Sequence, residues 1–134
     1  MIKQVSIFAE NKRGALQKIT GVIRENNINI FAISTNDSAE FGIIRMIVSD
    51  PDLAKDALID AGYQCKVAHV IGLILEDEVG YLDQLLKIIE ESYININYVY
   101  LTHDREINKP MLLLHSDEPE EVGNCLSLKG YTVR

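Results

Sequence analysis

The chain has 134 residues, of which 47% are hydrophobic and 25% charged, with 13 Lys and Arg against 20 Asp and Glu and a net charge of −7. That length fits one ordinary domain or two small ones, and the acidic balance argues against nucleic acid, whose recognition leans on clustered Lys and Arg. No apolar run approaches the ~20 residues of a membrane span, the longest being the strand-sized 70–75, and no signal-peptide core follows Lys3, so the chain reads as a cytoplasmic protein.

Residues 3–9 alternate apolar Val5, Ile7 and Ala9 with polar Gln4 and Ser6, the pattern of a strand. A polar turn, Asn11-Lys12-Arg13-Gly14, follows. Leu16, Ile19 and Ile23 then recur at spacings of three and four, which predicts an amphipathic helix over 14–26. Asn26-Asn27 ends it. The β-branched stretch 28–35 reads as a strand, 36–40 as a turn and 41–49 as another strand. Asp50-Pro51 caps a second helix whose inner face is Leu53, Ala54, Ala57, Leu58 and Ala61, and Gly62 stops it. Residues 63–70 form a fourth strand.

The same order then begins again. A strand is expected at 69–76, a helix at 79–92 with Leu82, Leu85, Leu86 and Ile89 inward, strands at 94–103 and 109–116, a helix from Pro119 to about Lys129, and a short strand at 131–134. The recurrence extends to residue identities. Gly14-Ala15-Leu16 and Gly80-Tyr81-Leu82 stand 66 apart, as do Ile28-Asn29-Ile30 and Ile94-Asn95-Ile96. Ser49-Asp50 matches Ser116-Asp117 at 67, and Gly62-Tyr63 matches Gly130-Tyr131 at 68. Such ordered matches mark a tandem repeat, with a first domain at 1–68 and a second at 69–134. No linker rich in Gly, Ser or Pro separates them, so the copies are expected to dock closely.

Ile43-Ile44 with Met46-Ile47-Val48, and Met111 to Leu114, are near-continuous apolar runs that suit central strands. The segments with Asn29, or with Asn95 and Asn97, suit edges. Two right-handed crossovers then give an antiparallel sheet of order 4-1-3-2. The predicted fold class is α+β: two ferredoxin-like βαββαβ sandwiches packed as an intramolecular pseudo-dimer.

Such a fold hosts many functions, so function must come from a site. The informative segment is the first strand-to-helix loop, Glu10 to Leu16. A helix N-terminus presents unpaired N–H groups and partial positive charge, which favour a carboxylate. Gly14 admits a ligand close to the backbone. Asn11 offers a donor and an acceptor, suited to the ammonium and carboxylate of a free amino acid; equally, it suits a plain helix N-cap. Cys65 and Cys125 lack CxxC spacing and read as small, partly buried apolar side chains, with a disulfide between them left open. His69, His103 and His115 are not at metal-ligand spacing, and His103-Asp104 reads as a solvated turn.

The Asn-x-x-Gly-x-Leu loop after an apolar strand, Ile28-Asn29-Ile30, and Phe41-Gly42-Ile43-Ile44-Arg45 with Ser49-Asp50-Pro51 resemble ACT domains, and the whole chain resembles the small stand-alone proteins made of two ACT units. The resemblance implies a non-catalytic regulatory protein holding a small amino acid where two units meet. Carried over, the ligand-binding residues are Asn11, Lys12, Arg13, Gly14, Ala15 and Leu16, joined by Asn95. A second, weaker site joins Asp77, Gly80 and Tyr81 to Asn29. Copy two departs from the motif: Glu76, Asp77 and Glu78 repel a ligand carboxylate that Lys12 and Arg13 attract, and Tyr81 replaces Ala15. No cofactor, metal site or catalytic residue is implied, since no nucleophile–base pair stands out. The rival reading is a ligand-free module docking onto a metabolic enzyme, and unpaired edge strands also suit a homodimer.

Overall fold

Residues 1–36 and 41–134 are described by the structure, a computed structural model; of the turn expected at 36–40, all but Asn36 lies outside the described residues. The elements run β1 (Ile2–Glu10), α1 (Ala15–Glu25), β2 (Ile30–Asn36), β3 (Phe41–Val48), α2 (Pro51–Asp60), β4 (Gln64–Ile74), α3 (Tyr81–Glu91), β5 (Tyr98–Asp104), β6 (Lys109–His115) and α4 (Pro119–Leu128). The fold class is α+β. The chain divides into two units, one Lys3–Ala68 and the other His69–Arg134 with Met1–Ile2.

In the first unit the strands lie in the order β2-β3-β1-β4. The β1–β3 pairing is antiparallel, with Ile7 opposite Ile44 and Ala9 opposite Gly42, and β2 pairs antiparallel to β3 with Thr35 opposite Ile44. The alternation read in β1 turns Val5, Ile7 and Ala9 to one face, where they meet Ile19 and Ile23 of α1 and Ala54 and Leu58 of α2. Each of the Val, Ile and Leu side chains, fully buried, contributes about 1.5–3 kcal/mol. On the opposite face Gln4 and Ser6 are also buried. Their desolvation is offset because Gln4 Nε2 donates to Ser6 Oγ at 3.0 Å.

In the second unit the order is β4-β6-β5, with Leu73 opposite Leu112 and Leu101 opposite Leu112 on the other side. Ile71, Leu73, Leu112 and Leu114 pack with Leu85 and Ile89 of α3 and Val122 and Leu126 of α4. The strand expected at 131–134 is reduced to one antiparallel bridge, Leu73 to Val133. The Arg134 N–H donates to the Gly72 carbonyl at 2.7 Å, and the Ile74 N–H donates to that of Thr132 at 3.1 Å.

The repeat is written in the backbone hydrogen bonds. At the end of α1 the N–H of Asn27 bonds the Arg24 carbonyl and that of Ile28 bonds Ile23; at the end of α3, Tyr93 bonds Glu90 and Ile94 bonds Ile89. Helices α2 and α4 close the same way, through Gly62 to Ile59 and Tyr63 to Leu58, and through Gly130 to Ser127 and Tyr131 to Leu126. These paired bonds are the Schellman ending, which needs a left-handed residue just past the helix. The four residues are Asn27 (φ 55°), Gly62 (94°), Tyr93 (57°) and Gly130 (94°).

Three expectations are corrected. The strands expected at 28–35 and 94–103 begin later, at Ile30 and Tyr98. The helix endings consume the N–H groups of Ile28 and Ile94; the Asn29 N–H then goes to Ser49 Oγ at 2.9 Å, and Asn97 Nδ2 donates to Asp117 Oδ1 at 2.9 Å. Asn29 and Asn95 therefore precede their strands rather than lie in them. Second, the strands expected at 63–70 and 69–76 are one strand, β4, because nothing from Tyr63 to Ile71 is a turn-forming Gly, Pro or Asn. Third, α2 and α4 begin on Pro51 and Pro119, so their N-caps are Asp50 and Glu118, and Asp117 is not the counterpart of Asp50. Asp50 accepts the Leu53 N–H at 3.1 Å; Glu118 caps nothing.

Tyr93 is an aromatic residue in the left-handed region with its side chain in solvent, 96% exposed. That backbone costs an L-residue about 1–2 kcal/mol, a penalty glycine escapes. Tyr93→Gly should therefore raise the unfolding free energy by about 1 kcal/mol in urea titration, with Tyr93→Asn, matching Asn27, giving part of the gain. A second prediction concerns acid. Asp104 Oδ1 accepts the N–H groups of Glu106 at 3.0 Å and Ile107 at 3.1 Å, and Arg134 Nε lies 3.4 Å from Oδ2. The Ile107 bond, then the Glu106 bond and the Arg134 charge, hold this carboxyl below the usual carboxylate range against the opposing effect of partial burial. A depressed folded value means stability that is full above the unfolded value of about 4 and is lost as pH falls through the folded one. Asp104→Asn should flatten the acid limb of stability measured between about pH 5 and about pH 2.

Candidate functional site

The loop between β1 and α1 is built around Gly14, whose backbone is left-handed (φ 82°, ψ −4°) and which stands at the N-cap of α1. The Lys12 N–H donates to the Glu10 carbonyl at 3.0 Å, the Ala15 N–H to Lys12 at 3.2 Å and the Lys18 N–H to Gly14 at 3.0 Å. With glycine as the cap, no side chain caps the helix start and no acid stands in its first turn. Asn11 thus does not serve as the N-cap. Nothing in that first turn compensates the positive end of the helix dipole.

Asn11, Lys12, Ala15 and Leu16 come together around one cavity of about 210 Å³, walled also by Thr35, Asn36 and Gly42. Arg13 and Gly14 belong to the turn itself and are exposed. The Lys12 ammonium is held by Glu10 at 3.0 Å, both side chains more than half exposed, so the pair is worth little in water. Thr35, Asn36 and Gly42 were not read as site residues from sequence. They arrive by register, with Ala9 opposite Gly42 and Asn36 opposite Ile43. The signal available was Gly42 itself: a Cβ there would stand 3.1 Å from the Asn36 carbonyl oxygen, so a side chain would need the neighbouring strand to give way slightly.

The second loop has the same backbone. Glu78 N–H donates to Glu76, Tyr81 to Glu78 and Gln84 to Gly80, and Gly80 repeats the left-handed cap (φ 84°). The side chains differ. Asp83 stands in the first turn of α3 and serves the helix dipole from within. Glu76 is paired with Lys109 at 2.7 Å, and Asp77 is exposed. Tyr81 is half-buried against the second core. Burial first, then the neighbouring Tyr131, Glu76 and Glu78, push its phenol above the ordinary tyrosine range. Asn29 and Asn95 are exposed and lie each in its own unit, Asn29 beside Thr20 and Arg24 and Asn95 beside Ser116, Asp117 and Glu118.

The remaining chemistry-bearing residues are taken up by packing and turns. Tyr98 stacks on His115 with ring centroids 4.8 Å apart. His103 Nε2 meets Asn108 Oδ1 at 2.7 Å. Cys65 and Cys125 are free thiols. Among the described residues, no three His, Cys, Asp or Glu are grouped to hold a metal, and no helix is long and apolar enough to cross a membrane.

A family model described as the ACT domain pair matches residues 1–131. The chain belongs to the ACT domain pair family. A solved protein of Bacteroides thetaiotaomicron is 32% identical to this ACT pair, covering 99% of this chain and 91% of that one with a TM-score of 0.90. The ligand-free regulatory subunit of aspartate kinase from Thermus thermophilus is similar in fold at 13% identity, with 89% and 85% coverage and a TM-score of 0.63. E. coli aspartokinase III, solved in complex with lysine and aspartate, is likewise similar in fold at 16% identity, covering 90% of this chain and 29% of that one with a TM-score of 0.54. No curated protein matches the chain.

The glycine caps give a direct check. A Cβ on Gly14 or Gly80 meets no atom within 4 Å, so only backbone strain opposes a side chain there. Gly14→Ala and Gly80→Ala should each lower stability by about 1–2 kcal/mol. Thermal unfolding would show the two shifts to be alike, the loops being alike in backbone.

Proposed function

We propose that this ACT pair is a non-catalytic regulatory protein that senses a small amino acid at the loop between β1 and α1. The observation that carries the reading is the cavity that gathers Asn11, Lys12, Ala15 and Leu16 in front of an uncapped helix start. An amino acid needs a site for its carboxylate and another for its ammonium. The first turn of α1 favours the carboxylate, with Arg13 adding positive charge nearby while Glu10 meets that of Lys12, and the Asn11 side-chain oxygen accepts from an ammonium. Membership of the ACT pair family supports a regulatory role, as does the likeness in fold to a regulatory subunit of aspartate kinase. E. coli aspartokinase III was solved with lysine and aspartate, which makes amino acids the ligand class to try first. The second loop, with Asp77, Asp83 and Tyr81, is the weaker site or none.

Thermal unfolding against the twenty amino acids tests this. A ligand at a hundred times its Kd adds about 2.7 kcal/mol to the unfolding free energy, a clear rise in midpoint. Asn11→Ala removes hydrogen bonds to charged groups worth about 1.5–3 kcal/mol, so Kd for the active amino acid should rise about tenfold to a hundredfold. If no amino acid moves the midpoint, the sensor reading fails, and docking onto a partner enzyme without a ligand takes its place.

A further inference from the structure

A second cavity, of about 350 Å³, opens on the other side of the same loop, walled by Glu10, Lys12, Ala15, Lys18, Tyr63 and Gln64. Nothing above gives it a role. The repeat supplies one, because the second unit carries a ring at the position where the first carries only a methyl group.

Ala15 and Tyr81 both follow a left-handed glycine as the first residue of a helix. Matched backbone hydrogen bonds hold the two loops, so their Cβ atoms leave in the same direction within their own units. Tyr63 and Tyr131 are likewise equivalent, each following the glycine of a Schellman ending. Where the first unit has the Ala15 methyl and a hole, the second has the Tyr81 ring, half-buried against its core. Burial first, then Tyr131, Glu76 and Glu78, raise the Tyr81 phenol and Lys109 opposes them, and Tyr81 and Tyr131 pack against the same core. Tyr131 is the counterpart of Tyr63, which lines this cavity and not the one beside Asn11. The Tyr81 ring therefore lies on the side where the first unit is open beside Ala15 and Tyr63. A cavity of roughly 150 Å³ already holds a benzene ring, so 350 Å³ leaves room for a ring and a short polar arm.

Charge separates the two copies as well. Lys12 and Lys18 in the first unit stand where the second has Glu78 and Gln84. Glu10 neutralises Lys12, while Lys18 makes no ion pair among the described residues, so the walls carry net positive charge.

The geometry points to a binding site for a small aromatic carboxylate in this cavity, its ring beside Ala15 and Tyr63 where the repeat places Tyr81, and its carboxylate toward Lys18. The site goes beyond the amino-acid reading, since Asn11 does not line it and no ammonium is required.

The probe is 4-hydroxyphenylacetate, with acetate as the charged ligand lacking a ring, titrated into the full chain while the Tyr63 ring signals are followed by NMR. Saturable shifts with 4-hydroxyphenylacetate and none with acetate are expected. Lys18→Gln, a change at an exposed position to the residue of the other copy, should weaken binding about fivefold, as an exposed ion pair allows. Ala15→Tyr should abolish it by filling the cavity. No saturable shift, or unchanged binding in Lys18→Gln, overturns the proposal, and the latter needs no core substitution to fold. Asn11→Ala separates the two readings. Retention of 4-hydroxyphenylacetate binding in that variant is expected; its loss would place the ligand in the Asn11 cavity and overturn the assignment. Amino acids failing while the aryl carboxylate binds through Lys18 would sink the sensor reading alone.

Discussion

A left-handed residue at the start of α1 is the constraint on which the rest depends. Gly14 turns the chain out of β1 and into α1 with a backbone that ordinary residues adopt only at a cost, and Gly80 does the same between β4 and α3. That turn decides which side chain faces inward at the first helical position, and it leaves the helix start without a side-chain cap. The packing of Ile19 and Ile23 into the first core follows from the same geometry, since the helix must enter over Val5 and Ile7 at the right pitch. Loop, helix start and core therefore share one residue, which carries no side chain.

The two copies show how little must change for one backbone to acquire two characters. Their hydrogen-bonded frames agree from the loop to the helix ending. What differs is the chemistry laid upon the frame: Lys12, Arg13 and Lys18 against Glu78, Val79 and Gln84, and Ala15 against Tyr81. The second copy meets its own helix dipole with Asp83 and fills its own hollow with a ring. The first has no acid in its first turn and only the Ala15 methyl at that position.

Much of this was legible in the sequence because it rests on periodicity and on residues with local preferences. Helix α1 lies within a residue of the span that Leu16, Ile19 and Ile23 predict, and Gly62 ends α2 as a glycine should. The starts of β2 and β5 were not legible. Asn27 and Tyr93 adopt left-handed backbone without being glycine, and the β-branched run after Asn27 gives no local sign that Ile28 is held by the helix ending. The loop itself could be picked out, but its walls could not. Thr35, Asn36 and Gly42 reach the first cavity, and Tyr63 the second, through strand pairing and a helix ending. The pairing of β1 with β3 that brings Gly42 beside Ala9 is non-local, and the spacing of the sequence does not show it.

Tyr81 can also be viewed as a tethered guest. A diffusing molecule fills a cavity only in proportion to its concentration, whereas a group attached to the wall by covalent bonds presents itself at an effective concentration that no metabolite reaches. The second copy is thereby fixed in its occupied condition whatever the surrounding solution contains. On the proposed binding, duplication followed by such self-occupation gives a chain one responsive half and one constant half, much as an electrode is read against a reference.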